Sequence, residues 1–225
     1  MKLLAIDTTE DACSAALLTD TEVAERFELA PRRHSEILLP MMDGLLRAAG
    51  LRLGDLDALA FARGPGSFTG VRIAVSVAQG AAFGAQLPVV PVSSLQALAQ
   101  GVWREHAAVA VLSALDARMQ EVYWGGYRAD PTGIMRTVIA ECVSKPQQVP
   151  PPEDGDWVAA GSGWEAYAEP LTGRCGRVSA ILGSFRVHAR DVASVGAALF
   201  AEGAAVPAEL AQPVYLRDEV AWARS

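Results

Sequence analysis

The chain is short of cysteine, histidine and basic charge and has no long apolar run, and each shortage removes a class of protein. Three cysteines, Cys13, Cys142 and Cys175, are odd in number and scattered over 225 residues, which is no disulfide framework. Cys13 and Cys142 fall in strand-like runs and read as small core residues. His34, His106 and His188 each lack a second histidine within one helical turn, so none belongs to a paired metal grip. With 19 Lys and Arg against 26 Asp and Glu, and a net charge of -7, the chain lacks the basic surface that wrapping nucleic acid requires. No apolar run approaches the roughly 18 residues of a membrane span. A strand begins at once, without the cationic segment and apolar stretch of a leader. The expectation is a cytoplasmic protein with no membrane contact.

What is present is an ordinary globular composition, 51% hydrophobic and 20% charged, long enough for one large domain or two small ones. One pattern occurs twice: an apolar strand ending in Asp, a tight polar turn, a second strand. The first copy runs Leu3 to Asp7, turns through Thr8-Thr9-Glu10-Asp11-Ala12 and continues from Cys13 to Leu18. The second runs Val111 to Asp116, turns through Ala117-Arg118-Met119-Gln120-Glu121 and continues from Val122 to Trp124. A repeat near half the chain length predicts two related lobes in tandem, residues 1–105 and a smaller, degenerate 106–225.

In the first lobe a third strand is predicted from about Val23 to Leu29, then a helix from about Ser35 to Ala49 stopped at Gly50. A strand at Leu56–Ala62, a helix at about Val71–Ala85, a strand at Val89–Val92 and a helix at Ser94–Arg104 complete a mixed α/β lobe. The second lobe adds strands that include Ile134–Cys142 and Trp157–Ala160, a Pro-rich surface connection around Pro150-Pro151-Pro152, and a helix at about Ala189–Ala201. Pro213 to Arg217 reads as an extended segment leading to a short tail, which the spacing would let pack back on the first lobe.

Two helices carry more apolar residues than one sheet can cover, since an arc of about 100° suffices for a helix on its own sheet. Ile37, Leu38, Met41, Met42 and Leu45 surround the first; Val71, Val75, Ala78 and Ala82 crowd the second, whose only charge is Arg72. Either part of this surface meets another protein chain or the helices are sandwiched inside the fold.

Between strand and helix lies Arg63-Gly64-Pro65-Gly66-Ser67-Phe68-Thr69-Gly70-Val71-Arg72. Its glycines permit close backbone approach, Ser67 or Thr69 can cap the helix, and free N–H groups there favour an anion. It is neither a Walker loop nor a dinucleotide fingerprint. A capped turn without ligand and an anion site both fit.

With this string, Ala5-Ile6-Asp7-Thr8, Asp116-Ala117-Arg118-Met119 with Glu121-Val122-Tyr123, and Pro213-Val214-Tyr215-Leu216-Arg217, the chain resembles the TsaB family, also called YeaZ, over almost its whole length. The resemblance implies an actin-like, Hsp70-like ATPase fold of two RNase H-like lobes. It also implies a role in bacterial tRNA modification, in which threonylcarbamoyl passes from threonylcarbamoyl-AMP to N6 of the adenosine beside the anticodon. TsaB is there the non-catalytic partner of a catalytic paralogue, TsaD, with the ATPase TsaE joining.

The paralogue's two metal-binding histidines, four apart, correspond here to Ser94 and Leu98, so no metal site and no catalytic residue is expected. Asp7, Thr8 and Thr9, with Gly64, Gly66 and Ser67, form a weak nucleotide candidate. Asp116 and Arg118 would face them, although that turn lacks the glycine and hydroxyl of a phosphate cradle. No cofactor is required of this chain, and ATP or ADP would be shared at a complex interface. The expected partners are TsaD, through the two apolar helices with Arg32, Arg33 and Arg72 at the rim, TsaE, and a second copy of the chain when alone. Transfer RNA would be met mainly indirectly, since Arg186, His188 and Arg190 are either a small contact patch or ordinary solvated charge. The rivals are an autonomous actin-like ATPase or kinase and a peptidase acting on the paralogue, with Ser67 and His34 as its nominal nucleophile and base.

Overall fold

A computed structural model of the chain describes residues 1–20 and 22–217. In its first strand, β1 (Lys2–Asp7), Leu4 and Ile6 enter one core cluster while Leu3 and Ala5 enter another. Side chains alternate along a strand, so a strand covered on both faces reads as an unbroken apolar run. β2 (Ala12–Thr19) and β3 (Glu22–Leu29) continue from β1 as an antiparallel meander. β4 (Ala58–Ala62) and β5 (Val89–Val92) add in parallel on the other side of β1. The sheet order is β3-β2-β1-β4-β5.

The second sheet repeats that order. β6 (Ala110–Arg118), β7 (Glu121–Ala129) and β8 (Met135–Ser144) form the meander; β9 (Val158–Ala160) and β10 (Ala180–Leu182) are the parallel additions, giving β8-β7-β6-β9-β10. Two five-stranded mixed sheets of one topology make the two-lobe, actin-like and RNase H-like α/β fold. β1 and β6 are equivalent strands, which is why both carry an Asp near their end.

Among the described residues, five α-helices build three layers around the sheets. α1 (His34–Ala48) and α2 (Phe68–Ala85) cover the outer face of the first sheet, against Leu4, Ile6, Leu59 and Phe61. α3 (Ser94–His106) and α5 (Ala189–Ala201) lie between the sheets, and α4 (Ser162–Cys175) covers the second sheet through Trp164 and Leu171. The inner face of the first sheet is lined by Ala5, Ala58, Ala60 and Ala62, small enough for α5 to press close. A Cβ on Gly196 would stand 2.7 Å from that of Ala60. Although α5 follows the second sheet in the chain, it packs on β1, β2, β4 and β5.

Some boundaries differ from the sequence expectation. α2 begins at Phe68, not near Val71, because the Ser67 hydroxyl accepts from the Gly70 N–H and caps it there. α4 and β10 were not expected. α4 contains Gly163, Pro170 and Gly173 and a kink at Tyr167 (φ -135°), so its propensity is poor and buried Trp164 and Leu171 hold it. Residues 213–217 form an irregular strap: the Val214 N–H donates to the Arg63 carbonyl in the first lobe, and Arg217 bonds the Ala117 carbonyl in the second. The tail expected beyond Arg217 lies outside the described residues.

Candidate functional site

The turn after β1 spends its polar groups on itself and on the glycine-rich string. Asp7 is fully buried; its Oδ1 accepts from the Thr9 N–H at 3.2 Å and the Thr9 hydroxyl at 2.6 Å, and its Oδ2 has no hydrogen-bond partner. Burial pushes the Asp7 carboxyl up to about 7, against the pull of the Thr9 hydrogen bonds. The Thr8 hydroxyl donates to the Gly70 carbonyl at 2.7 Å, and the Ser67 N–H donates to the Thr9 carbonyl at 2.7 Å. A Cβ on Gly66 would stand 2.4 Å from the Thr9 carbonyl oxygen, and one on Gly70 1.9 Å from that of Thr8. The glycines are therefore needed for contact between two pieces of this chain.

The structure thus brings Asp7, Thr8, Thr9, Gly64, Gly66 and Ser67 together. The Ser67 N–H donates to the Thr9 carbonyl, and its hydroxyl accepts from the Gly70 N–H. Asp116 and Arg118 bond to each other. The Asp116 carboxylate accepts from the Arg118 N–H at 2.9 Å and from its guanidinium at 3.0 Å. Arg118, Met119 and Gln120 all take left-handed φ, 62°, 54° and 61°, which costs energy in residues other than glycine. Arg217 clamps this turn through Glu121, the Ala117 carbonyl and the Met119 sulfur.

A contact between the lobes escaped the sequence reading. Glu10 accepts from the Ser162 hydroxyl at 2.8 Å, and Ser162 Oγ accepts from the Asp116 N–H at 3.2 Å. An acidic residue in a polar turn looks solvated; the available signal was Gly161-Ser162-Gly163 following a strand, as the glycine-rich string follows β4. Two members of the basic cluster are paired within the chain: Arg186 bonds Asp11 at 2.9 Å and reaches Glu165 at 3.5 Å, and His188 Nδ1 lies 3.2 Å from Glu25, to which the Arg190 backbone N–H also donates. His34 bonds the Ala12 carbonyl at 3.1 Å, and Ser94 and Leu98 are buried in the middle layer. Among the described residues, no group of three or more His, Cys, Asp or Glu could hold a metal ion. No described helix is long and apolar enough to cross a membrane.

The helix pair requires the largest correction. Leu38, Met41, Met42 and Leu45 of α1, and Val71, Val75, Ala78 and Ala82 of α2, are buried in the protein's own core. Each helix packs on the sheet and against the other, so a wider arc than one sheet needs is used internally. Of the apolar residues expected to meet a partner, only half-buried Ile37 reaches the surface, beside the exposed rim residues Arg32, Arg33 and Arg72. The outward face is carried by others: Leu39 is 55%, Phe68 65% and Phe83 63% exposed, with Ile73 and Val77 half-buried between them. Ser76, Gly80 and Gly84, four apart and exposed, form a flat strip, and a Cβ added to either glycine would meet nothing within 4 Å. At the start of α2 an open groove of about 340 Å³ is lined by Ser35, Phe68, Thr69, Arg72, Ile73 and Val77. The Arg72 guanidinium lies 3.2 Å over the Phe68 ring and 5.2 Å from that of Tyr215.

The family model for TsaD, described as tRNA N6-adenosine threonylcarbamoyltransferase, matches residues 26–172. The tRNA threonylcarbamoyladenosine biosynthesis protein TsaB of Escherichia coli (strain K12) is 46% identical over 225 residues, covering 99% of this chain and 97% of the relative. The protein of that name from Haemophilus influenzae is 41% identical over 234 residues, covering 99% and 96%. The solved structure of YeaZ from Pseudomonas aeruginosa superposes with a TM-score of 0.91 at 47% identity, covering 96% of this chain and 99% of that one.

Proposed function

The chain belongs to the TsaB family of tRNA threonylcarbamoyladenosine biosynthesis proteins, and on that premise we propose that it is a non-catalytic subunit that docks on the catalytic paralogue TsaD and configures it. The observation that carries this reading is the outward face of α2. A strip of Ser76, Gly80 and Gly84 lets another helix approach closely, and Ile73, Val77 and Phe83 beside it supply apolar area to bury. A paralogue of the same fold offers an equivalent helix pair, and so does a second copy of this chain, so a homodimer forms in the partner's absence and competes with the heterodimer. TsaE joins the heterodimer. This chain needs no cofactor of its own, ATP or ADP is shared at the complex interface, and tRNA is met mainly through the partner.

An autonomous ATPase or kinase gains no support from Thr8 or Ser67, whose hydroxyls bond within the chain. A peptidase gains none from Ser67 and His34, a helix cap and a buried ring bonded to the Ala12 carbonyl. The deciding experiment is reconstitution of threonylcarbamoyl transfer from threonylcarbamoyl-AMP to tRNA with purified TsaD and TsaE, with and without this chain. Transfer should depend on its addition; equal transfer in its absence would overturn the reading.

A further inference from the structure

After α5 the chain runs along α2 in the first lobe before it reaches the second. Val206 pairs with Val89 of the edge strand β5, its N–H donating at 2.9 Å and its carbonyl accepting at 2.8 Å. Ala208 and Ala211 are buried in the core that α1 and α2 share, and the Gln79 side chain of α2 donates to the Glu209 carbonyl at 3.3 Å. The Val214 N–H then donates to the Arg63 carbonyl at 2.9 Å. Gly64, with φ 100°, makes room there, since a Cβ on it would stand 3.0 Å from the Val214 carbonyl oxygen. Tyr215 leans over the first turn of α2, its ring 6.0 Å from that of Phe68 and 5.2 Å from the Arg72 guanidinium. Two residues on, Arg217 grips the second lobe.

What Arg217 grips is a turn ill suited to its own residues. Met119 and Gln120 form the two-residue loop between β6 and β7, both with left-handed φ, a geometry that hairpins normally give to Asn-Gly. Neither has the short polar side chain that tolerates it, and Arg118 is left-handed as well. Burial does not hold the loop, because Met119 is 81% exposed. Within the hairpin the Asp116 carboxylate holds Arg118. From outside it, Arg217 Nη2 donates to the Ala117 carbonyl at 3.2 Å and to the Glu121 carboxylate, and Nη1 lies 3.4 Å from the Met119 sulfur. One guanidinium thus touches the turn before, within and after its strained residues.

We propose that residues 206–217 are a clasp between the lobes, in which Arg217 holds the 118–120 turn in its left-handed form and Tyr215 carries that hold to the Phe68 and Arg72 stack at the start of α2. The clasp makes one mechanical unit of a second-lobe turn and the first-lobe helix whose outward face is the proposed docking surface. Arg217 is a positioning residue in this unit. The clasp rests on contacts within the chain and holds whatever partner α2 meets.

Amide hydrogen exchange on the full chain at one pH tests this, with circular dichroism to show that each variant is folded. Arg217→Ala should lower protection of residues 117–122 about tenfold, and that of residues 70–72 in the other lobe about threefold or more. Tyr215→Ala should work in the opposite direction, loosening 117–122 with Arg217 intact. Met119→Asn with Gln120→Gly gives the turn residues that favour its geometry. In that background Arg217→Ala should leave 117–122 protected while 70–72 stay loosened. Glu121→Gln weakens the same grip from its other side and should loosen both regions to a smaller extent, which gives the reading if Arg217→Ala fails to fold. A turn that exchanges in Arg217→Ala as in the parent would overturn the hold, and unaltered exchange at 70–72 would overturn the coupling. So would an Asn-Gly turn that still needs Arg217, which would make the residue an ordinary surface ion pair.

Discussion

Arg104 holds Asp191 through two parallel hydrogen bonds, Nε to Oδ1 at 2.8 Å and Nη2 to Oδ2 at 2.9 Å, and so ties α3 to α5 in the layer between the sheets. The partners are unequally placed: the Asp191 side chain is 1% exposed, the Arg104 side chain 26%. Removing either therefore has different consequences. Arg104→Ala strands a buried carboxylate and should cost about 3 kcal/mol or more. Asp191→Ala should cost less, because Arg104 keeps Glu105 at 2.9 Å and some contact with water. Urea denaturation of both variants checks the order; equal losses would mean that the pair acts only through packing.

Asp7 makes stability depend on pH with a definite sign. Its native carboxyl is held at about 7 against an ordinary 3.8, so the folded chain keeps a proton that the unfolded chain releases. The stability this gives is complete below about pH 4 and is lost as pH rises through about 7. Asp7→Asn keeps the oxygen that accepts from Thr9 and cannot ionise. It should stabilise the protein by the order of 1–3 kcal/mol above about pH 7 and change little near pH 4. Thermal midpoints across that range give the test, with part of the slope surviving in the variant because Glu10 is shifted in the same direction.

The helices separate surface from core within a few residues. Gly80 has open space where its Cβ would be, and a residue other than glycine favours the helix by about 0.5–1 kcal/mol, so Gly80→Glu should fold at least as well as the parent. It should weaken binding to TsaD about tenfold or more, by placing a charge and bulk where a helix would approach. Val75→Asp or Met42→Asp should instead lose about 4 kcal/mol or more of stability, since each puts an unpaired charge into the core. Melting by circular dichroism, followed by co-purification with TsaD, distinguishes the two classes. Full binding by Gly80→Glu would place the contact elsewhere.

Much of the architecture is legible because the central strands β1 and β6 are covered on both faces. The apolar runs ending at Asp7 and Asp116 announce two equivalent strands, and the strong periodic segments announce α1, α2, α3 and α5. α4 is hidden because Gly163, Pro170 and Gly173 obscure a helix that Trp164 and Leu171 hold by burial. The site was legible only as an excess: α1 and α2 do carry more apolar residues than one sheet needs, but periodicity does not say which face is spare. The large side chains at Leu38, Met42 and Val75 turn inward, and the open strip is made of Ser76, Gly80 and Gly84, which no hydrophobic count registers. Glu10 failed for a related reason, since burial of an acid by a partner lobe leaves no trace in its local sequence.

The turn after β1 decides between a nucleotide site and a structural joint. Thr8 donates its hydroxyl to the Gly70 carbonyl at 2.7 Å, inside the chain, and both groups are buried. Removing that hydroxyl deletes a buried hydrogen bond to a carbonyl at the start of α2, so Thr8→Ala should cost about 1 kcal/mol in denaturant unfolding. If the turn is only a joint, titration calorimetry of the isolated chain with ATP and magnesium should show no binding tighter than about 1 mM, before or after the substitution. Micromolar binding that Thr8→Ala abolishes, with stability unchanged, would mean that the hydroxyl turns outward to a phosphate. The close seating of Gly66 and Gly70 on the Thr8 and Thr9 carbonyls would then have to open, and amide protection at Ser67, whose N–H is bonded to Thr9, would fall as ATP is added.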